Sequence, residues 1–228
     1  MPTYDLSQPL ESGMPVYPGT PPVEIERTAT VAEDGYATTG LSFDSHTGTH
    51  IDAPAHMLAD GRTLDSFDPE TFRFIAAVAD CRPLEPRSAI EPDDLEAATT
   101  GLGDELAGPD GEVDLLLCRT GWERHWRSDQ YFDHPYLTNE SGEWLVDRRL
   151  NLGIDAPNVD PSPGNHADPN EPEGYPFHHV MFAAERVLLE NLRGFEPLPT
   201  DESFAVHAYP LPVSNADGAP VRCVAVPE

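Results

Sequence analysis

The stretch SFDSHTGTHIDAPAHM, Ser42 to Met57, crowds three histidines and two aspartates into sixteen positions. A helix would place His46 and His50 on one face but turn Asp52 roughly to the opposite side, at about 3.6 residues per turn. Gly48, two threonines and Pro54 disfavour a helix there in any case. In an extended chain, side chains of equal parity point the same way. His46, His50, Asp52 and His56 share one parity, so a strand, or a strand passing into a loop where Pro54 bends the chain, aims all four into one space.

Two neutral imidazoles and a carboxylate suit Zn²⁺, Mn²⁺ or Fe²⁺ and leave coordination positions open for water and substrate. A structural site is normally closed by four protein ligands, often with cysteine, and this stretch has none. The open set therefore points to catalysis. The spacing alone also permits a plainer outcome, in which these residues are satisfied by hydrogen bonds at a sheet edge.

The rest of the chain limits the partners. Its 228 residues carry 41 Asp+Glu against 13 Lys+Arg, a formal charge of −28, and every basic residue is arginine. Binding to nucleic acid or an anionic membrane needs a basic surface, so neither is expected. Self-repulsion of this size disfavours the compact state unless salt screens it. We therefore expect a halophilic protein working in a salt-rich cytoplasm. At 39% hydrophobic the chain can still bury a core. Cys81, Cys118 and Cys223 show no CxxC spacing and read as buried small hydrophobes. No secretory signal or membrane-length apolar run is evident.

Periodicity predicts short strands and few helices, compatible with either α/β or α+β. Phe72–Asp80 reads as a buried strand, Val113–Trp122 as a central strand ended by RTGW, and RRLNLGIDAP as another strand. EPDDLEAATT suits a short helix with Glu91 near its start and Leu95 on its apolar side. FAVHAYPLPV and PVRCVAVP flank SNADGA, an Asp-Gly turn signal, and are expected to pair as a hairpin. Asp160–Pro176, rich in proline, glycine and acid, reads as a loop. HHVMFAAE can form a short helix. RVLLEN then reads as a strand whose one carboxylate, Glu190, is costly to bury unless a cation or donor compensates it.

HTGTHIDAPAH resembles the signature of the cyclase-like metal hydrolase family, HxGTHxDAPxH, at every fixed position. That family includes bacterial kynurenine formamidases and isatin hydrolases. The resemblance extends along the chain: YDLSQPLESGMPVYPG to the opening segment, LLLCRTGW to the central strand and turn, GIDAPNVDP to a GIDxxSxDP-like stretch, and FAVHAYPLPVSNADGAPVRCVAV to the closing hairpin. It implies one α/β domain over residues 1–228, of the swivelling β/β/α type, with a central mixed sheet and few helices.

It implies a site as well. His46, His50 and Asp52 would bind metal and His56 would carry protons. His178, twelve positions before Glu190, would complete a second metal position with it; the neighbouring His179 competes, and the spacing favours His178. One or two divalent ions per chain, Zn or Mn, would activate water against a small aryl amide or formamide, with N-formylkynurenine the first substrate to try. Opening of a cyclic amide or lactone is the alternative, and a non-catalytic acidic metal-binding protein the competing class. Asp44 and Thr49 are expected to orient ligands through hydrogen bonds. Tyr17 stands where the family's formamidases carry tryptophan and can stack on a substrate ring. The acidic loop at about 160–176 either covers the site or is a solvated insertion. His125, His134, His166 and His207 read as surface or packing residues, Trp122 as packing, and a homodimer or larger homo-oligomer is expected.

Overall fold

The computed structural model describes residues 2–106, 111–164 and 166–227, apart from the side chain of Asp104. Nine strands share one sheet, in the order β1 (Tyr4–Asp5), β13 (Val224–Val226), β11 (Phe204–His207), β5 (Arg73–Asp80), β7 (Leu115–Arg119), β9 (Asn151–Ile154), β10 (Leu188–Glu190), β4 (His50–Asp52) and β12 (Gly218–Pro220). The four central strands β5, β7, β9 and β10 run parallel and the flanking ones antiparallel. Strands β2 (Glu24–Ala29) and β3 (Thr38–Ser42) form a separate two-stranded arm, and β6 (Ala89–Ile90) pairs with β8 (Tyr136–Leu137). Helices α1 (Val31–Asp34), α2 (Pro92–Ala98), α3 (Asn139–Asp147) and α4 (Pro176–Ala183) are short. The architecture is α/β, a mixed sheet with few helices.

Period-two alternation sorts the strand residues into two cores. Phe74, Ala76 and Val78 of β5, Leu115 and Leu117 of β7, Leu189 of β10 and Ile51 of β4 enter one of them. Ala77, Ala79, Leu116, Cys118, Leu152, Ile154 and Leu188 face the other, where Leu95 of α2, Leu145 of α3 and Phe177, Met181 and Phe182 of α4 cover them. Bridges join Ser7 to Leu192 and Pro210 to Val221, residues that follow strands far apart in the order, so the sheet curls around the first core. Gly153 of β9 allows the tight curl: a Cβ there would lie 2.7 Å from side-chain atoms of both Leu117 and Leu192.

The RTGW turn after β7 is fixed from the next strand. Asp155, fully buried at the end of β9, accepts the backbone N–H groups of Thr120 and Gly121, each at 2.8 Å. Trp122 packs in the second core with its indole N–H on the Tyr131 carbonyl at 3.0 Å.

Two expectations need correction. The four even-numbered residues of the signature do not share one strand: β4 covers only His50–Asp52, His46 lies in a turn, and His56 ends a short 3-10 turn, Pro54–His56. Alternation cannot run through Gly48, whose φ of 61° breaks the extended chain. Nor is the closing segment a simple hairpin. Strands β11 and β13 pair antiparallel as expected, but SNADGA does not join them as a tight turn; its end starts β12, which pairs with β4.

Candidate metal centre

On β4 the alternation that sends Ile51 into the first core turns His50 and Asp52 to the other face. Strand β10 lies antiparallel beside it, with Glu190 opposite His50 and Leu188 opposite Asp52, so Glu190 joins the same face. Asn191 follows with φ at 56°, and its carbonyl accepts the Thr49 hydroxyl at 2.6 Å, holding the strand ends together. Helix α4 packs over this face and contributes His178, which is buried, while His179 points outward. The turn before β4 returns His46, and the 3-10 turn after it returns His56. Every sequence-expected residue except Tyr17 thus converges within one cluster, and Tyr17 lines the cavity above it.

Hydrogen bonds fix which ring atoms face the centre. His50 donates from Nδ1 to the Gly48 carbonyl at 2.8 Å, which leaves Nε2 facing Asp52 Oδ1 at 3.2 Å and Glu190 Oε2 at 3.6 Å. His178 donates from Nδ1 to Asp160 Oδ2 at 2.6 Å, and its Nε2 faces Glu190 Oε1 at 3.6 Å and Asp52 Oδ2 at 3.9 Å. A carboxylate behind a histidine in this way sets its tautomer and raises its basicity as a ligand. Among the described residues three groupings could hold an ion: His46/His50/Asp52 and Asp52/His178/Glu190, which share Asp52, and His46/His56/Asp217, which shares His46 with the first.

The electrostatics ask for a cation. Asp52 Oδ2 is buried without a hydrogen-bond partner. Burial and the neighbouring Asp52 charge raise the pKa of Glu190 to about 7. Burial works against charged imidazoles, yet the Asp52 and Asp217 carboxylates raise His46 to about 10, and Asp160, Asp52 and Glu190 raise His178 to about 10. Protons on these rings supply positive charge among buried carboxylates. A divalent ion supplies the same charge and takes the lone pairs those protons occupy, so the donor set fits one or two such ions.

Several members went unread in the sequence. Asp217, in the Asp-Gly signal, lies 2.9 Å from His46 Nε2 and 3.4 Å from His56 Nδ1 through its Oδ2, and its pKa is held below the usual carboxylate range by the His46 hydrogen bond. The His56 ring lies against His46 at 3.9 Å between centroids, tilted by 35°. Asp160, counted with the loop, accepts the backbone N–H groups of Phe177 and His178 at 2.9 and 3.1 Å besides the His178 ring. Tyr175 ends the acidic loop and meets the Tyr17 hydroxyl at 3.3 Å. Asp160 falls in the GIDAPNVDP stretch and Asp217 in the Asp-Gly signal, but neither pattern says which imidazole it meets; only the fold brings them in. Asp44 Oδ1 accepts the His46 backbone N–H at 3.3 Å, while the His46 ring itself contacts Asp52 and Asp217.

The cluster floors a cavity of about 450 Å³ walled by Tyr17, Met57, Tyr131, Phe132 and Tyr175. That volume suits a small molecule. An open centre of histidines and carboxylates beneath a cavity of this size is the arrangement that a metal-dependent hydrolase requires. The profile of the family described as "Putative cyclase" matches residues 4–161, and the chain belongs to that family. Kynurenine formamidase of Bacillus cereus is 31% identical over 228 residues, covering 98% of this chain and 96% of the relative. Isatin hydrolase A from Ralstonia solanacearum superposes with a TM-score of 0.82 at 27% identity, covering 100% of this chain and 92% of its own. A structure titled a potential metal-dependent hydrolase with cyclase activity gives 0.75 at 26% identity, covering 98% and 96%.

Proposed function

We propose that this chain hydrolyses a small aryl amide or formamide with one or two divalent ions, Zn²⁺ or Mn²⁺, N-formylkynurenine-like compounds being the first substrates to test. The observation that carries this is the partnerless Oδ2 of Asp52, buried between His178 and Glu190 under an aromatic-walled cavity. His46, His50 and Asp52 would hold one ion, and His178, Glu190 and Asp52 would hold a second where two are bound. A divalent ion in such a set lowers the pKa of its water from 15.7 to about 7 and polarises a carbonyl.

His56 carries the proton from the attacking water to the leaving amine. Burial lowers its pKa, so it begins the cycle neutral and able to accept. Asp217 steadies its Nδ1, and Tyr17 and Tyr175 flank the substrate ring. The likeness to isatin hydrolase A favours including cyclic amides among the substrates. The test is hydrolysis of N-formylkynurenine, isatin and simple aryl formamides in molar KCl, with Zn²⁺ or Mn²⁺ added. No turnover of any of them would refute the proposal.

The −28 charge and the absence of lysine support a salt-rich cytoplasm as the setting. Among the described residues no helix is long and apolar enough to cross a membrane. The arm of β2 and β3 and its connection expose Val31, Tyr36 and Leu41, apolar surface that supports a homodimer.

A further inference from the structure

Among the described residues lining the cavity none is arginine, and the chain has no lysine. A substrate oxygen held away from the cluster of histidines and carboxylates is therefore met by neutral donors. Asn191 offers one. It follows β10, and while Glu190 turns to Asp52 and His178, the Asn191 side chain turns to Tyr131 on the cavity wall.

The polar groups of Asn191 can be accounted for one by one. Its backbone N–H donates to the Ala156 carbonyl at 2.9 Å, and its backbone carbonyl accepts the Thr49 hydroxyl at 2.6 Å. The side-chain Oδ1 accepts the Tyr131 hydroxyl at 2.9 Å. That hydroxyl is buried and has no other acceptor among the described residues, so it must donate, which fixes the orientation of the carboxamide. Nδ2 then has no partner among the described residues, yet it is not sealed from solvent, and it faces the cavity that Asn191 lines. The left-handed φ of 56° that holds the side chain there is one that asparagine and glycine adopt more readily than other residues. Resting on the amide-hydrolase proposal above, we infer that Asn191 Nδ2 donates to a carbonyl oxygen carried on the substrate ring beside the scissile amide, with Tyr131 as the positioning residue that aims it. The ligand class is an aryl amide with an acyl group ortho to its nitrogen, the arrangement present in N-formylkynurenine.

The test compares 2-acetylformanilide with 2-isopropenylformanilide, in which a CH₂ replaces the ketone oxygen, on the Mn²⁺-loaded enzyme. The wild-type ratio of their kcat/KM values includes the intrinsic reactivity of the two amides, but its change in a variant does not. Asn191→Gly tolerates the left-handed backbone and removes only the carboxamide. It should lower the acetyl-to-isopropenyl ratio about three- to tenfold, the scale of one neutral hydrogen bond. Tyr131→Phe frees the carboxamide to turn and should lower the ratio as well, by less. The ratio is internal to each preparation, so partial misfolding of either variant does not obscure it. An unchanged ratio in Asn191→Gly overturns the inference, whether both rates hold or both fall together, since a joint fall is what contact with the scissile carbonyl gives. If that variant does not fold, an unchanged ratio in Tyr131→Phe overturns it instead. Silence of the wild-type enzyme on both substrates overturns the hydrolase proposal and this inference with it.

Discussion

The Nδ1–H of His178 donates to Asp160 Oδ2 at 2.6 Å, while both oxygens of that carboxylate accept N–H groups from the first turn of α4. One buried acid thus sets where the helix begins and which nitrogen of its histidine faces Asp52 and Glu190. In Asp160→Asn an amide N–H₂ turned to the ring would favour the other tautomer. Metal affinity should fall about 10–100-fold while the fold persists. Titration of the metal-free protein with Mn²⁺ by calorimetry, beside circular dichroism, measures both.

Proton transfer and metal retention are divided between residues. His56→Ala should keep its metal and lose about 10²–10⁴ in kcat, whereas Asp52→Ala should lose both. Elemental analysis beside hydrolysis rates checks the division, and equal metal loss in both variants would refute it.

Gly218 gives a way to disturb the centre without touching a ligand. A Cβ at this position would stand 2.6 Å from His46 Cε1 and 3.2 Å from Asp52 Oδ1. Gly218→Ala should displace His46, reducing metal per chain and activity together, with the denaturation midpoint changed less than by a core cavity.

His134 makes acid stability a local property. It is fully buried, its Nδ1–H on the Pro135 carbonyl at 2.8 Å and its Nε2 2.7 Å from the Ser162 hydroxyl. Burial lowers its pKa from 6.5 to about 4. The neutral ring is the native form, so its contribution is complete above pH 6.5 and is lost as the pH falls through 4. The loss is about 3 kcal/mol. Urea denaturation from pH 7 to 4 should show His134→Gln, which cannot gain this charge, losing less stability than wild type.

Salt should act on the whole molecule. With a net charge of −28, raising KCl from 0.15 to 1 M shortens the Debye length from about 8 to about 3 Å. The urea midpoint should rise across that range. An unchanged midpoint would remove the halophilic interpretation.

Strand identities were readable from the sequence because alternation and apolar runs are local: Arg73–Asp80, Leu115–Arg119 and Leu188–Glu190 fall where the patterns put them. The histidine signature was readable for the same reason, since its residues lie within eleven positions of one another. Its geometry was not. A positive φ at Gly48 and a 3-10 turn at Pro54 replace the simple strand, and long-range pairing decides how His46 and His56 return.

Asp217 and Asp160 fall in local patterns that do not say which imidazoles they meet, and Tyr175 falls in none. Asp217 reads as a turn residue until β12 pairs with β4 and carries it to His46 and His56. The sequence by itself determined which residue types are available to a cation and which strands are apolar enough to be buried, because those depend on side-chain chemistry and nearest neighbours. Only the tertiary structure decided which carboxylates stand behind which imidazoles and which charges face the cavity, because that depends on strand order and on a curl joining segments far apart along the chain.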